Sequence, residues 1–186
     1  MREKIANLTA VAFLAIFCGS IFFVSNFANS QSQNFQSKSH LQFNKKFAGI
    51  GAVIDGDSIK VGKNEVRLFG LDAPEYSQTC FDATQNEYSC GKMSREFLVN
   101  FAQGKEIECV YAQMDKYNRF LSKCFVDKAS INEAIIKNGM AVIYNFNESD
   151  QKMIELEKIA KEKKLGIWKG AFQLPRAYRK AHPRIN

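Results

Sequence analysis

Short runs of β-branched and apolar residues, separated by turn residues, recur in the middle of the chain. The segments Asp55-Gly56-Asp57, Gly62-Lys63-Asn64 and Asp115-Lys116-Tyr117-Asn118 interrupt these runs, as turns between strands do. The pattern therefore predicts three consecutive strands and, later, a hairpin. The predicted strands are residues 47–54, 58–61, 65–71, 106–113 and 119–126.

Apolar residues at helical spacing predict three helices in addition to the strands. Ser130 and Glu133 form a capping box at the start of the second helix. Glycines, which readily adopt the left-handed backbone that follows a helix, mark the three ends at Gly104, Gly139 and Gly166. The predicted helices are residues 91–103, 130–139 and 150–164.

The order of these elements is informative about the fold. Three strands, a helix, two strands and a helix is the order of a five-stranded OB barrel whose helix lies between the third and fourth strands. The sequence thus predicts an α+β, mainly β, protein: an OB-fold five-stranded barrel with three helices.

The N-terminal region differs in composition from the rest. Residues 8–24 are uncharged and mostly apolar, follow the charged start Met1-Arg2-Glu3-Lys4, and precede the small residues of Ala28-Asn29-Ser30. Residues 1–30 are therefore predicted to be a cleaved signal peptide or an uncleaved N-terminal anchor. Both place the rest of the chain outside the cytoplasm, secreted or periplasmic, and only the anchor would touch a membrane. Residues 31–46, rich in Ser, Gln, Asn and Lys, are predicted to be a linker to a domain over residues 47–170.

Charge is concentrated at the C-terminal end. The 186-residue chain has a formal net charge of +7. Residues 152–186 contain ten basic and three acidic residues, whereas residues 31–151 are close to neutral. A basic C-terminal tail over residues 171–186 suggests a polyanionic partner, although a solvated lysine-rich helix face would give the same count. The two histidines, His40 and His182, lie near the chain ends, which disfavours a Ser-His-Asp triad or a histidine-rich zinc site.

Four cysteines remain once Cys18, which lies in the apolar N-terminal run, is set aside. Three disulfide connectivities are possible, and four free thiols are an alternative. If Asp115 pairs with Asn118 across the predicted hairpin, Cys109 lies opposite Cys124, and a bulge at Asn118 would shift this register by one. Cys80 and Cys90 would then form the second disulfide, across the loop that follows the segment Asp72-Ala73-Pro74-Glu75. The spacing excludes a Cys-x-x-Cys zinc site.

Acids and arginines cluster at the predicted strand ends. Asp57 ends the first turn, and Asp72 precedes Ala73-Pro74, where a strand must stop. Arg67 lies on the third predicted strand, Glu75 just beyond its end, and Arg119 directly after the hairpin turn. In isolation Asp57 would be interpreted as a turn residue. Taken together, the carboxylates offer oxygen ligands that suit a hard cation such as Ca²⁺ or Mg²⁺, and the two guanidinium groups match the oxygens of a phosphodiester.

One difficulty concerns the third strand. Arg67 and Asp72 are five residues apart, so a regular strand would direct them to opposite faces. A break or bulge near Gly70 is therefore required if both belong to one site.

Three segments carry a resemblance to a known family. The segments 53–58 (VIDGDS), 66–75 (VRLFGLDAPE) and 115–119 (DKYNR) resemble, in the same order, the signatures of the staphylococcal nuclease (thermonuclease) family, and 163–168 (KKLGIW) is similar to the end of its last helix. The cysteine pattern resembles the secreted bacterial branch. The resemblance implies an OB-barrel, Ca²⁺-dependent nuclease that acts on DNA and RNA.

The resemblance also implies a role for individual residues. Asp57 and Asp72 would bind the metal with their carboxylates and Ala73 with its carbonyl, while Arg67 and Arg119 would bind the phosphate. Glu75 would position or deprotonate the water. The nucleotide would contact Lys116 and Tyr117, and Tyr144 is either a stacking residue or a core residue.

Two departures from the family pattern and two other classes of protein need consideration. Ser58 replaces the usual Thr and retains the hydroxyl, whereas Asn118 replaces the usual Gly. A catalytically inactive OB-fold module that binds nucleic acid is one alternative, and an envelope protein whose basic tail binds anionic polymers is the other. The acids and arginines favour the enzyme, which we expect to be a monomer.

Overall fold

The computed structural model describes residues 41–144 and 150–183. The predicted signal peptide or anchor and most of the predicted linker lie outside the described residues. The strands are β1 (Lys45–Val53), β2 (Ser58–Val61), β3 (Asn64–Leu68), β4 (Leu71–Asp72), β5 (Cys80–Asp82), β6 (Glu87–Tyr88), β7 (Glu106–Met114), β8 (Phe120–Val126), β9 (Ala129–Ser130), β10 (Val142–Ile143) and β11 (Gly170–Ala171). The helices are α1 (Cys90–Ala102), α2 (Ile131–Lys137), α3 (Gln151–Glu162) and α4 (Pro175–Ala181), with a 3₁₀ turn at Gly166–Lys169.

Five of these strands close into a barrel. β1 lies between β2 and β7, β2 pairs with β3, and β7 pairs with β8, all antiparallel. The parallel pair of β3 and β8 closes the ring and places Arg67 opposite Leu121. This is the strand pairing of an OB barrel, so the predicted fold class is confirmed.

The helix count differs from the prediction. The described residues contain four α-helices rather than three, and the additional helix, α4, lies in the segment expected to be a basic tail. Pro175 occupies the first turn of α4. Proline is well suited to that position because its missing N–H has no partner there in any helix.

The core fills the barrel and joins it to the helices. Leu98 and Ala102 of α1 are fully buried beside Ile59 and Ile107 of the barrel. The close approach of α1 depends on Gly51, since a Cβ atom there would lie 2.7 Å from the Ala102 carbonyl oxygen. A helix is thus packed tightly against the strand that leads to Asp57.

Two disulfides join cysteines in the pairing predicted from the hairpin register. Cys109 lies opposite Cys124 in β7 and β8, and the two are bonded. Cys80 of β5 is bonded to Cys90 at the start of α1. The described residues contain no helix long and apolar enough to cross a membrane.

Candidate active site

A break after β3 brings Arg67 and Asp72 to the same side of the barrel. β3 ends at Leu68, Gly70 adopts φ +83°, and Leu71–Asp72 then pair with β10 instead of continuing the strand. Glycine adopts this left-handed backbone without the clash a side chain would cause. As a result, Arg67 Nη2 donates to Asp72 Oδ1 over 2.8 Å.

Asp57 lies buried beneath the cleft, where several donors surround it. Its Oδ1 contacts the Arg67 guanidinium and accepts a hydrogen bond from the Ser58 hydroxyl at 3.1 Å. Its Oδ2 accepts one from the Ala73 backbone N–H at 3.0 Å. Burial raises the pKa of Asp57 from 3.8 to about 7, although the charge of Arg67 opposes this. Removal from water thus favours the neutral form of this carboxyl more than Arg67 and the Ala73 N–H favour the charged form.

Asp72 and Glu75 are joined by an arginine that the sequence analysis did not select. Arg179 of α4 donates from Nη1 to Asp72 Oδ1 and to Glu75 Oε1, each at 2.9 Å. Its Nη2 donates to Asp72 Oδ2 at 3.0 Å. Three carboxylates, of Asp57, Asp72 and Glu75, therefore share two guanidinium groups.

Arg119 approaches this group from the hairpin turn. Its backbone N–H and its Nε donate to the two oxygens of Asp115, at 3.0 and 2.9 Å. Burial of Asp115 favours its neutral form, but these bonds and one from the Tyr117 backbone N–H outweigh it and lower its pKa. The remaining Nη1 points to the Ser58 hydroxyl at 3.4 Å. Ser58 thus bridges Arg119 and Asp57.

An open cleft of about 960 Å³ lies over these residues. Its walls include Arg67, Glu75 and Arg119 as well as the predicted nucleotide-contacting residues Lys116 and Tyr117. Tyr117 is 67% exposed, and the cations of Lys116 and Arg119 lie 5.0 and 5.4 Å from the centre of its ring. An exposed ring beside two cations can stack on a base while the cations bind phosphate.

Tyr144 belongs to the cleft wall and is 56% exposed, so it is a surface residue rather than part of the core. On the same wall, α4 contributes Tyr178 and His182, whose rings stack with centroids 4.2 Å apart. His182 was not among the predicted site residues, because it lies near the end of the chain. The only available signal for Arg179 was local: a proline that begins a helix within a basic segment.

The oxygen atoms of Asp57 and Asp72 suit a hard cation. Among the described residues, no three His, Cys, Asp or Glu side chains lie close enough to hold a metal ion by themselves. However, Oδ2 of each aspartate accepts a single hydrogen bond from the described residues, from Ala73 and Arg179 respectively. A carboxylate oxygen has two acceptor positions, so one remains on each for a cation completed by carbonyl and water ligands.

The family model described as staphylococcal nuclease homologue matches residues 65–170. The succinoglycan biosynthesis protein ExoI of Rhizobium meliloti is 35% identical over 65% of this chain and 64% of its own length. An uncharacterized endonuclease of Escherichia coli O157:H7 is 29% identical over 66% of this chain and 77% of its own.

A probable staphylococcal-like nuclease of Oryza sativa subsp. japonica is 26% identical over 61% of this chain and 31% of its own length. The chain therefore spans from about a third to three quarters of these relatives. Two of these three relatives are named as nucleases. Since the family model covers more than half of the chain, and the barrel agrees with it, the chain belongs to the staphylococcal nuclease family.

Proposed function

We propose that this protein is an extracytoplasmic, Ca²⁺-dependent nuclease that hydrolyses phosphodiester bonds of DNA and RNA by attack of water. The observation that carries the proposal is the cluster beneath the cleft, in which paired carboxylates lie beside the guanidinium groups of Arg67 and Arg119. The family is generally metal-dependent, which supports a metal without identifying it.

Asp57 and Asp72 would hold the metal with their open carboxylate positions, and Ala73 would add its backbone carbonyl. A Ca²⁺ ion held there would polarise the phosphate and offset the negative charge of the carboxylates. Oxygen-only ligands favour a hard cation, Ca²⁺ or Mg²⁺, over softer metals, and the choice of Ca²⁺ rests on the resemblance to the family.

The two arginines have separate positions around the reacting phosphate. Arg67 is anchored by Asp57 and Asp72 at the floor of the cleft, whereas Arg119 is anchored by Asp115 at its rim. Guanidinium groups held in this way do not have to reorganise as negative charge develops on the phosphate oxygens. Glu75, held at one oxygen by Arg179, would orient the attacking water and accept its proton.

Substrate binding would use the exposed side of the cleft. Tyr117 and Tyr144 would stack on bases, and Lys116 would bind the phosphate backbone. DNA and RNA are the proposed partners, and we predict a monomer. The two disulfides support an oxidising compartment, since such bonds persist outside the cytoplasm.

The experiment is to incubate the purified protein with plasmid DNA and with RNA, in Ca²⁺ and in chelator. We expect cleavage of both substrates in Ca²⁺ and loss of cleavage in chelator and in Arg67→Ala. An Arg176→Gln variant, altered at an exposed position of α4, serves as the matched arginine control. Binding without cleavage in wild type would instead identify the inactive nucleic-acid-binding module.

A further inference from the structure

Arg179 connects the C-terminal helix to the centre of the site. Its guanidinium contacts both oxygens of Asp72 and one oxygen of Glu75, over 2.9–3.0 Å. The Arg179 side chain is 36% exposed, whereas that of Asp72 is 2% exposed. One planar group thus fixes the relative orientation of two carboxylates at the boundary between core and cleft.

The fold holds α4 firmly against the loop that carries Glu75. The Gln78 side-chain amide donates to the Gln173 carbonyl at 2.6 Å, just before the helix begins. The Tyr178 hydroxyl donates to the Ser77 carbonyl at 3.4 Å. These contacts join α4 and the segment just before it to residues two and three positions after Glu75, so hydrogen bonds connect the segments that carry Arg179 and Glu75.

A second connection runs through the small sheet beside the barrel. β11, which leads into α4, pairs with β5, and the disulfide between Cys80 and Cys90 ties β5 to the start of α1. At the pairing point, a Cβ on Gly170 would overlap the Phe81 carbonyl oxygen, so the two strands lie unusually close. The disulfide therefore braces the segment that delivers Arg179.

We propose that Arg179 is a positioning residue of the active site: it acts through Glu75 and Asp72, whose carboxylates it holds in the orientation that hydrolysis requires. The inference rests on the proposed function. Without Arg179, the neighbouring carboxylates of Asp72 and Glu75 would lose the guanidinium that contacts both, and their repulsion would act against the present orientation of the Glu75 side chain. A carboxylate that must contact one water loses much of its effect when it is displaced by about 1 Å.

The same contacts allow an opposite role, which the experiment separates. If the guanidinium merely occupies the place of a cation at Asp72, its removal would strengthen Ca²⁺ binding and leave the rate unchanged or higher. If it positions the carboxylates, its removal lowers the rate at saturating Ca²⁺.

The test compares Arg179→Gln, Arg179→Lys and the control Arg176→Gln, which alters another arginine of the same helix that is exposed. For each we would measure kcat and KM on DNA at saturating Ca²⁺, the Ca²⁺-induced rise in Tm, and oligonucleotide binding in chelator. We expect Arg179→Gln to lower kcat about 10–100-fold, as loss of a residue that orients a site carboxylate typically does. KM and oligonucleotide binding should change about threefold or less, and the Ca²⁺-induced rise in Tm should not increase.

The conservative variant guards against a folding defect. Arg179→Lys keeps the charge but can bridge two carboxylates less well, so it should recover part of the lost kcat with a wild-type Tm. In a Glu75→Gln background, Arg179→Gln should cost much less than in the wild type, because residues that act as a unit are not additive.

An unchanged kcat in Arg179→Gln together with a larger Ca²⁺-induced rise in Tm would overturn the proposal. The proposal would also be overturned if Arg179→Gln lowered kcat by the same factor in the Glu75→Gln background as in the wild type. If Arg179→Gln does not fold, a wild-type kcat in Arg179→Lys would count equally against it. Absence of hydrolysis in the wild type would refute the proposed function itself, a result distinct from all of these.

Discussion

Asp57 should reduce the stability of the metal-free protein, and its replacement by asparagine should increase it. Asp57 is buried, and Arg67, the guanidinium that contacts it, is shared with Asp72. Asp57→Asn removes this buried negative charge while it preserves the shape of the side chain and leaves Arg67 paired with Asp72. The expected effect is opposite to the usual loss on removing a buried acid.

The size of this stability gain and its dependence on pH follow from the pKa of Asp57. Burial raises this pKa from 3.8 to about 7, so the folded state favours the neutral carboxyl. Stability in chelator should therefore fall as the pH rises from about 4 to about 7. The upper bound on this loss is roughly 4 kcal/mol. Because the substitution also removes the attraction of Arg67, we expect a gain of about 1–3 kcal/mol at pH 8, or ~3–10 °C in Tm.

Asp115→Asn is the matched control because it should lower the stability of the protein, whereas Asp57→Asn should raise it. The pKa of Asp115 is lowered by hydrogen bonds from Arg119 and Tyr117, so its charged form stabilises the fold above its ordinary pKa. Its replacement should cost about 1 kcal/mol or more at pH 8, since charge-assisted hydrogen bonds are lost.

The assay is thermal unfolding followed by circular dichroism, in chelator, at several pH values between 4 and 8. The difference in Tm between Asp57→Asn and wild type should grow with pH. It should shrink when Ca²⁺ is added, because a bound cation stabilises the wild type by offsetting the buried negative charge of Asp57. The reasoning would be refuted if Asp57→Asn were less stable than wild type at pH 8 in chelator, or if the difference in Tm between the two did not depend on pH.

Three further predictions concern rate, stability and affinity. Arg119→Ala should lower the saturated cleavage rate about 10²–10³-fold while DNA affinity in Ca²⁺ falls far less, and the reverse pattern in kinetic and binding assays would make Arg119 a binding residue. The pair Cys80→Ser and Cys90→Ser should cost about 3 kcal/mol in denaturant unfolding, and an unchanged midpoint would contradict this. Replacing the exposed Lys163 and Lys164 by Gln should weaken DNA binding and lower its salt dependence at an unchanged single-turnover rate, so a slower rate at saturation would count against a binding role.

Local patterns were sufficient to predict the barrel strands and the pairing of the cysteines. The hairpin register, however, contains two irregularities that the sequence does not reveal. Asn118 adopts φ +62° and the turn closes between Asp115 and Arg119, which shifts the register by one, as a bulge there would. A second irregularity between Tyr111 and Gln113 shifts it back before the cysteines. The two shifts cancel, so the simple assumption predicted the correct pair.

The acids and arginines of the site were predictable to the extent that they lie in short motifs. The meeting of Arg67 with Asp72 required a break near Gly70, and the structure contains that break. Arg179 was missed for a different reason. It lies 107 positions from Asp72, and no spacing or periodicity relates residues that only tertiary folding brings together. Its helix could have been predicted from Pro175, but its contacts could not.

The central claim is that this cleft hydrolyses nucleic acid with the help of a hard cation, and one titration tests it most directly. The rate of cleavage of a defined duplex oligonucleotide would be measured in chelator and then with increasing free Ca²⁺. We predict no cleavage in chelator and a saturable rise with half-maximal rate at about 10⁻⁴–10⁻³ M, the range of exposed extracellular sites. Full cleavage in chelator would contradict the metal assignment, and no cleavage at any Ca²⁺ concentration would contradict the nuclease.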